Sequence, residues 1–248
     1  QPSFKIAALE AGARDFISKP FDLLEVHKRI HNMLEVRLLY KELAQYSKTQ
    51  QELALHDALT GLPNRRLLED RIETTLQHAS RNHHKAAIMY LDLDGFKAIN
   101  DTYGHAYGDE VLKIVSQRLL ANSRKEDTVA RLGGDEFMVV LGEVNSLADA
   151  QGPAAKLVEA VSEPFFINDL TLRLSTSIGI SIYPDDAESV ESLISIADYA
   201  LYEAKRRGAG SIEVFTTAMR DDRAELVVLE QELRRAIERN EIEVHYQP

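Results

Sequence analysis

The stretch Arg131-Leu-Gly-Gly-Asp-Glu-Phe137 lies between two β-prone runs, Thr128–Ala130 and Phe137–Leu141. Glycine readily adopts the positive φ of a tight turn, so this pattern predicts a β-hairpin. Two carboxylates, Asp135 and Glu136, follow the turn directly. The side-chain-free backbone of the two glycines would let a bulky anion come close, and the adjacent acids would hold the metal ion that such an anion carries. A solvated hairpin tip is the alternative, and the hairpin alone does not decide between them.

Composition sets the broad class of the protein. The 248 residues, 44% of them hydrophobic and 28% charged, indicate a soluble globular protein with one main domain and attachments. The net charge of -11 argues against broad nucleic-acid or anionic-membrane binding. The lack of cysteine excludes disulfides and thiolate metal sites. No apolar run approaches the roughly 20 residues of a membrane span, and the first residues lack a signal-peptide pattern, so a cytoplasmic setting is expected.

The first segment is similar to part of a signalling domain. Residues 10–21, Glu-Ala-Gly-Ala-Arg-Asp-Phe-Ile-Ser-Lys-Pro-Phe, resemble the closing strand of a response-regulator receiver domain. In that family the lysine senses phosphorylation, and the phospho-accepting aspartate lies in an earlier part that this sequence lacks. The resemblance implies that residues 1–36 are the C-terminal remnant of a receiver domain from a two-component system.

A long helix is predicted next. From Asp22 to about Leu55 the chain contains neither glycine nor proline. Apolar residues within it follow the alternating three- and four-residue steps of a coiled-coil seam. The seam positions are Val36, Leu39, Leu43, Tyr46, Gln50 and Leu53. We predict that residues 37–55 form a dimer-forming or signal-passing linker, with a helix packed on its own chain as the alternative.

The main domain, from His56 onward, is predicted to be α+β. The run Ala86–Leu91 is apolar without alternation, as expected for a central strand buried on both faces. The predicted elements that follow are a helix from Asp109, the hairpin, a helix over about 146–162, a strand over 172–183, a helix that contains Leu193 and Leu201, and a strand over 212–215. This order predicts a mixed sheet with helices packed on it.

Four carboxylates are candidates for a metal site. Asp92 and Asp94 end the predicted central strand, whereas Asp135 and Glu136 lie in a hairpin that must pair within the same sheet. Neighbouring strands lie about 4.8 Å apart, so acids from both segments are close enough to bind one divalent ion. Oxygen-only ligands suit Mg²⁺ or Mn²⁺, and such sites support phosphoryl or nucleotidyl transfer. The alternative is that Asp92 and Asp94 only end the strand and face water.

Further polar residues suggest nucleotide contacts. Asn100 and Asp109 flank a loop, and an amide with a carboxylate can read a guanine edge, although each residue alone is more commonly a helix cap. The basic residues Lys97, Lys205, Arg206 and Arg207 are candidates for triphosphate oxygens. Their alternative is a solvated basic helix end that the helix dipole favours.

Six motifs, in one order along the chain, resemble those of the GGDEF diguanylate cyclase family. They are Asp57-x-Leu-Thr-Gly-Leu-Pro-Asn-Arg, Asp92–His105, Gly108-Asp109, Arg131–Phe137, Ser177–Ile180 and Ala197–Lys205. The resemblance covers about 56–217 and implies a palm-like sheet of the nucleotidyl cyclase or ferredoxin-like kind. It also implies a nucleotidyltransferase that joins two GTP molecules into cyclic di-GMP, releases pyrophosphate and works as a homodimer.

The resemblance assigns roles to individual residues. The implied metal ligands are Asp92, the main-chain carbonyl of Leu93, Asp135 and Glu136, and the three acids are also the implied catalytic residues. The implied nucleotide contacts are Asn100 and Asp109 for guanine, and Lys97, Lys205, Gly133 and Gly134 for phosphates, with Phe96 supporting the loop. Arg124 and Asp127 match the family's inhibitory site for the cyclic di-GMP product; taken by themselves they are a surface ion pair.

Two features complicate this assignment. The family usually runs to Gly-Arg-Asn after the lysine, but here the sequence is Gly208-Ala209-Gly210, so the expected arginine is missing at Ala209. Residues 218–248 form a linker, and the part from Leu229 resembles the opening of an EAL phosphodiesterase domain. The parent protein is therefore expected to contain receiver, GGDEF and EAL domains. Two other functions stay open: a regulatory domain that binds GTP or cyclic di-GMP, and a scaffold for the phosphodiesterase.

Overall fold

A computed structural model describes residues 10–12, 20, 22–219, 235–237, 239 and 241, without the side chains of 44, 45 and 47–53. Most of the receiver-like segment and of the EAL-like segment lies outside these residues, so the predictions for both stay predictions. The chain divides into two compact units, Gln1–Ala54 and Leu55–Pro248. Within the described residues, no helix has both the length and the apolar character that crossing a bilayer demands.

The predicted long helix is present. Helix α1, Leu23–Leu55, has 33 residues. Four predicted seam positions on it are more than half exposed to solvent: Val36, Leu39, Leu43 and Tyr46. The side chains of the other two, Gln50 and Leu53, lie outside the described set. In the single chain, α1 therefore presents apolar side chains to solvent along the part of the seam that is described.

The second unit is an α+β domain. Its helices are α2 Arg65–Asn82, α3 Phe96–Tyr103, α4 His105–Ala121, α5 Leu147–Ser162 and α6 Val190–Arg207. Its strands are β1 Lys85–Asp94, β2 Thr128–Gly133, β3 Glu136–Val144, β4 Phe165–Ile167, β5 Leu170–Leu172, β6 Ser175–Tyr183 and β7 Ile212–Val214. Five strands form one sheet in the order β2-β3-β1-β6-β7, with only the β6–β7 pair parallel. Strands β4 and β5 form a separate hairpin.

Strand β1 lies at the centre of the sheet and is buried on both faces, as its apolar run predicted. Side chains alternate across a strand, so its residues divide between two cores. Met89 and Leu91 join the core that contains residues of α3, α4 and α5. Ile88 and Tyr90 join the core beneath α2 and α6. By the same alternation, Asp92 continues the face that α2 and α6 cover.

Helix α6 lies directly against strand β6 because residue 179 is glycine. A Cβ atom at Gly179 would meet the Ala197 carbonyl oxygen and the Leu201 nitrogen at 2.1 Å. Any larger residue would therefore push the helix away from the sheet. This close packing determines where the C-terminal turn of α6, which carries Lys205, lies relative to β1.

Two local predictions were wrong. Helix α4 begins at His105, not at Asp109, and Gly108 lies inside the helix. The glycine does not end a loop there; it makes room, since a Cβ atom would lie 2.0 Å from Asn100 Oδ1. The β4–β5 hairpin was missed, although Asn168 forms its turn with a φ of 53°, a value that asparagine tolerates better than most residues.

Candidate active site

Strand register brings the two predicted acid segments together. In the β1–β3 ladder Asp92 is the direct partner of Glu136, and Leu91 is the partner of Phe137. Directly opposed residues project from the same face of a sheet with Cβ atoms about 5 Å apart. The prediction that the hairpin and the central strand meet in one sheet is therefore confirmed. Asp135 is close enough for its charge, like that of Glu136, to act on Asp92.

Asp94, the fourth candidate acid, is engaged by the fold. Ser175 Oγ donates to Asp94 Oδ2 at 2.7 Å, and Ser177 Oγ donates to Oδ1 at 2.9 Å. The backbone N–H of Gly210 donates to Oδ2 at 2.8 Å. Three donors thus tie the end of β1 to β6 and to the loop after α6. The prediction that Asp94 belongs to the same carboxylate site is corrected, because its two oxygens accept from β6 and from the loop after α6.

Asp92 has a different environment. Its side chain is 17% exposed, and Lys205 Nζ lies 2.6 Å from its Oδ1 atom. Burial raises the pKa of the Asp92 carboxyl, Lys205 opposes that rise, and the charges of Asp135 and Glu136 add to it. The net shift is upward from the ordinary value of 3.8. The ionised carboxylate is therefore only partly compensated by the protein, and an additional cation would stabilise it.

Tyr90 is a contact that the sequence reasoning missed. It is 6% exposed and lies close enough to Glu136 for that carboxylate to act on its phenol. Burial and the negative charge of Glu136 raise the pKa of Tyr90 well above its ordinary value of 10.0, so the phenol stays protonated. A protonated hydroxyl beside Glu136 is a donor that this carboxylate can accept from. The available signal was a tyrosine two residues before Asp92 in an otherwise aliphatic strand.

The glycine turn is held by a second interaction that was missed. Gly133 and Gly134 have φ values of 148° and 54°, which favour glycine. Arg131, only 9% exposed, donates from Nε and Nη2 to the Gly134 carbonyl at 3.1 and 2.8 Å. Its Nη1 donates to Asp57 Oδ1 at 2.9 Å. The sequence placed Asp57 and Arg131 in two separate motifs, and the fold joins them into one brace.

The brace is electrostatically stable. Thr60 donates to Asp57 Oδ1 from both its backbone N–H, at 2.9 Å, and its hydroxyl, at 2.6 Å. Burial raises the pKa of the Asp57 carboxyl, but the hydrogen bonds from Thr60 and Arg131 outweigh burial and hold this pKa below its ordinary value. At Asp92, by contrast, the interaction with Lys205 does not outweigh burial, and the pKa stays raised. The brace fixes the turn next to Asp135 and Glu136 without using either acid.

The predicted guanine contacts lie near one another on two helices. Asn100 lies in α3 and Asp109 in α4, so neither residue caps a helix. Asn100 Oδ1 is buried and has no hydrogen-bond partner in the described part of the chain, whereas Asp109 is exposed. Phe96 is 6% exposed and supports this corner beneath Gly108. A buried acceptor without a partner is costly, and a ligand N–H would satisfy it.

The predicted phosphate contacts differ in their partners. Lys97 is exposed on the first turn of α3. Arg206 pairs with Glu203 at 3.0 Å, and Arg207 pairs with Glu213. Ala209 itself is exposed in the loop after α6. The two arginines considered as substitutes for the missing family arginine are thus already paired with acids.

The proposed inhibitory pair forms a tight turn. The Arg124 backbone N–H donates to Asp127 Oδ2 at 2.8 Å, and the Asp127 N–H donates to the Arg124 carbonyl at 3.1 Å. Burial raises the pKa of the Asp127 carboxyl, and the hydrogen bond from Arg124 counteracts part of that rise. The contact between the two residues is a backbone hydrogen bond, and the charge of Arg124 also acts to lower the pKa of Asp127. The Arg124 side chain projects from a fixed turn and is exposed.

The acids of the site fit a magnesium-type ion that arrives with its substrate. Among the residues that the structure describes, no three His, Cys, Asp or Glu side chains are preassembled around a metal position. Mg²⁺ commonly uses one or two carboxylates and completes its shell with water and substrate phosphates. Asp92 and Glu136 supply such a pair, and the pKa of Asp92 is raised first by burial and then by the charges of Asp135 and Glu136.

A β1-centred sheet with helices on both faces and acids beside a glycine turn is a cyclase-type α+β domain. The family model described as "Diguanylate cyclase, GGDEF domain" matches residues 54–211, more than half of the chain. The chain therefore belongs to the GGDEF diguanylate cyclase family, as its motifs predicted.

Similar curated proteins are named as a diguanylate cyclase, as a cyclic di-GMP phosphodiesterase or as both. MucR of Pseudomonas aeruginosa, a bifunctional diguanylate cyclase/cyclic di-GMP phosphodiesterase, is 44% identical over 221 residues, which cover 88% of this chain and 32% of MucR. The cyclic di-GMP phosphodiesterase PdeR of Escherichia coli is 38% identical over 196 residues, which cover 79% of this chain and 29% of PdeR. The chain thus spans less than a third of the length of these two curated relatives.

Solved structures confirm the predicted palm-like fold. The GGDEF domain of PA1120 (TpbB or YfiN) from Pseudomonas aeruginosa is 40% identical to this chain and has a TM-score of 0.65. The likeness covers 67% of this chain and 97% of the PA1120 chain. The coiled coil and GGDEF domain of DgcB from Caulobacter crescentus, solved in complex with c-di-GMP, has a TM-score of 0.64 and 25% identity. That likeness covers 78% of this chain and 100% of that chain.

Proposed function

We propose that this chain carries a metal-dependent diguanylate cyclase domain, which condenses two GTP molecules into cyclic di-GMP and releases pyrophosphate. The observation that carries the proposal is the direct pairing of Asp92 with Glu136 across β1 and β3, beside the Gly133-Gly134 turn. Family membership supports the reaction class. The intact turn and acids support activity in this particular chain.

Each residue of the site has a defined task in this proposal. Asp92, Glu136, Asp135 and the Leu93 carbonyl would hold Mg²⁺ or Mn²⁺, which stabilises charge on the α-phosphate and lowers the pKa of the attacking 3′-hydroxyl. Gly133 and Gly134 leave open space, since a Cβ atom at either would meet nothing within 4 Å. The turn therefore admits the triphosphate while the Asp57–Arg131 brace keeps its backbone in place.

Guanine recognition would use the corner between α3 and α4. The buried Asn100 oxygen accepts a base N–H, and Asp109 accepts from the N1–H and N2–H donors of guanine. Lys97 and Lys205 carry positive charge toward the phosphates. The orphaned Asn100 oxygen supports a contact with a base N–H. Asp109 would select guanine, because adenine lacks the pair of N1–H and N2–H donors.

Turnover in this proposal needs a second copy of the chain. One domain holds one GTP, and each 3′-hydroxyl attacks the α-phosphate of the other GTP. The exposed apolar seam of α1 would form a coiled coil with that copy. Product binding at Arg124 and Asp127 would reduce activity. A parent protein with receiver, GGDEF and EAL domains would place this activity in two-component signal transduction.

The test is direct. Purified protein at micromolar concentration is incubated with GTP and Mg²⁺, and the nucleotides are separated by chromatography. We expect cyclic di-GMP and pyrophosphate from the natural sequence and neither from a Glu136→Gln variant of unchanged circular dichroism. Absence of the cyclic product from the natural sequence, in a preparation shown to be dimeric, would refute the proposal.

A second function is favoured by one observation. Ala209 lacks the family arginine, and Arg206 and Arg207 are paired with Glu203 and Glu213. Such a domain would bind GTP or cyclic di-GMP weakly or without turnover and regulate a phosphodiesterase, the activity in PdeR's name. Calorimetry that shows GTP binding, together with a chromatogram that shows no product, would favour this function over catalysis.

A further inference from the structure

The ion pair between Lys205 and Asp92 engages one oxygen of a carboxylate that belongs to the proposed metal site. Lys205 Nζ lies 2.6 Å from Asp92 Oδ1, within the reach of a charge-assisted hydrogen bond. Asp92 is also the acid on which the charges of Asp135 and Glu136 act. The ammonium group of Lys205 is therefore a positive charge in direct contact with the strand partner of Glu136.

The backbone of Lys205 is fixed on α6, whereas its side chain can rotate. The contact of Gly179 with the backbone of α6 fixes the helix that carries the lysine. The Lys205 side chain is nevertheless 43% exposed, and a lysine has a flexible four-carbon stem. The ammonium group can therefore leave Asp92 by rotation about side-chain bonds, without movement of the helix.

A lysine and a divalent ion compete for the same carboxylate. Two cations in contact with one oxygen repel each other strongly, because little water separates them. Asp92 is 17% exposed, so solvent weakens this repulsion less than it would at the surface. A triphosphate brings several anionic oxygens, which give the ammonium group alternative partners and give the metal additional ligands.

We propose that Lys205 occupies Asp92 until a triphosphate draws it away, so that metal binding requires nucleotide. The inference rests on the metal site of the proposed function and adds an order of binding to it. Lys205 thus has two successive partners, Asp92 before the triphosphate binds and phosphate oxygens afterwards. The exchange keeps the acids from holding a metal ion in the absence of substrate.

The test measures metal binding without turnover. The full chain is titrated with Mn²⁺ alone, and free Mn²⁺ is followed by its electron paramagnetic resonance signal. We expect Lys205→Met to bind one Mn²⁺ at least about 10-fold more tightly than the natural sequence does, since a competing cation is gone. A non-hydrolysable GTP analogue should tighten Mn²⁺ binding to the natural sequence more than to Lys205→Met.

Lys113 provides a matched control. It is also 43% exposed and forms an ion pair of 2.7 Å, with Glu110 on α4. Lys113→Met changes the net charge equally and frees a carboxylate, but away from Asp92, so Mn²⁺ affinity should stay at the natural value. Adding Asp92→Asn to Lys205→Met should abolish the gain, which locates the gained ion at Asp92.

The outcomes separate this inference from the proposed function. If Lys205→Met binds Mn²⁺ no more tightly than Lys113→Met, the competition is refuted, even where the natural sequence makes cyclic di-GMP. If the gain survives in the double variant, the ion lies elsewhere and the inference is also wrong. If Lys205→Met shows the gain but no variant makes product, the proposed activity fails and the competition at Asp92 stands.

Discussion

Asp92 and Asp94 lie two residues apart on the same strand, yet their carboxylates have different partners. Asp94 accepts hydrogen bonds from two serine hydroxyls and the Gly210 N–H. Asp92 has Lys205 as its ion-pair partner and is repelled by the like charges of Asp135 and Glu136. Three neutral donors satisfy the first acid, whereas at the second Lys205 offsets only part of the effect of burial and of the neighbouring acids. Asp94 therefore stabilises the fold, whereas Asp92 is the acid that can bind a ligand.

The same contrast divides the surroundings of the glycine turn. On one side, Arg131 pairs with Asp57 and donates to the Gly134 carbonyl. On the other side, Glu136 faces Asp92, and Lys205 is a cation in contact with that pair. A braced turn thus borders a group of neighbouring acids. This is the arrangement that preorganised catalytic sites require, because rigidity on one side fixes the unpaired groups on the other.

The largest effect is expected from removing the charge of Asp92. Asp92→Asn should lower kcat for cyclic di-GMP formation roughly 1,000-fold or more, because a metal ligand stabilises the transition state by several kcal/mol. The melting temperature should not fall, since burial and like charges disfavour the ionised Asp92. Steady-state kinetics with GTP and a thermal melt of the same sample measure both quantities.

Asp94→Asn is the matched control on the same strand. It should lower the free energy of unfolding by about 1–3 kcal/mol, because an amide cannot accept from all three donors. Its kcat should fall much less than that of Asp92→Asn at a temperature where both variants are folded. The distinction between the two acids is lost if Asp94→Asn abolishes turnover in a fully stable protein.

The second largest effect is expected at Tyr90. Tyr90→Phe keeps the ring in its core but removes the hydroxyl whose pKa is raised by burial and by Glu136, and with it a donor to that carboxylate. A hydrogen bond to a charged group is worth about 1.5–3 kcal/mol, so kcat should fall roughly 10- to 100-fold. The KM for GTP should stay unchanged, because Tyr90 acts on Glu136 and not on the nucleotide.

Tyr202 supplies the control, since its side chain is 55% exposed on α6. Tyr202→Phe should leave both kinetic constants at their natural values. An equal fall of kcat in Tyr90→Phe and Tyr202→Phe would mean that the Glu136 hydrogen bond does not contribute. A rise of KM without a change of kcat in Tyr90→Phe would contradict its positioning role.

The third prediction concerns the paired side of the turn. Asp57→Asn removes one charge of the ion pair with Arg131, whose side chain is 9% exposed. Leaving a largely buried guanidinium without its acid should lower the free energy of unfolding by about 1–3 kcal/mol at pH 7. Asp185→Asn is the control, because its pair with Lys85 is exposed and is worth less than about 1 kcal/mol.

The pH dependence of this effect has a defined sign. The pKa of Asp57 lies below its ordinary value of 3.8 in the folded chain, so the unfolded chain binds the proton more readily. The stabilisation is therefore complete above the ordinary pKa and is lost as the pH falls below about 4 toward the lowered value. Urea unfolding should show that the difference in the free energy of unfolding between the natural sequence and Asp57→Asn becomes smaller from pH 7 to pH 3. A constant gap would contradict the ion-pair explanation.

Much of the fold was predictable because it follows local patterns. The unbroken apolar run at 86–91 predicted a central strand, and the glycine pair predicted the hairpin that joins β2 to β3. The long stretch without glycine or proline predicted α1. The start of α4 was misplaced because Gly108 was taken for a loop residue. Its real reason, the approach of Asn100, is a contact between two helices that no local pattern contains.

The candidate site was predictable in part for the same reason. The sequence identified Asp92 and Glu136 as candidates, but only the strand register shows that they are direct partners. Asp94 looked equivalent to Asp92 because both precede the same loop, and its serine partners lie about 80 residues later, at Ser175 and Ser177. Long-range partners of this kind, like the Asp57–Arg131 pair, become visible only in three dimensions.

The smallest effect is expected from restoring the missing cation at the end of α6. Ala209 is exposed between two glycines with positive φ, and the Gly210 N–H is anchored on Asp94. Ala209→Arg adds a guanidinium where neighbouring arginines are already paired with acids. One exposed phosphate contact is worth about 1 kcal/mol, so the KM for GTP should fall roughly 3- to 10-fold at low salt.

The origin of that gain can be checked by charge and by salt. Ala209→Met has a similar length without the charge, so it should leave KM unchanged. Because the contact is exposed, raising the ionic strength from about 0.05 to 0.5 M should remove most of the gain. Should Ala209→Met lower KM as much as Ala209→Arg, packing of the loop on Asp94, and not charge, would govern nucleotide binding at this end. Asp94 would then affect nucleotide binding through the loop that it holds. In that case both acids would contribute to the reaction, Asp92 directly and Asp94 through the loop.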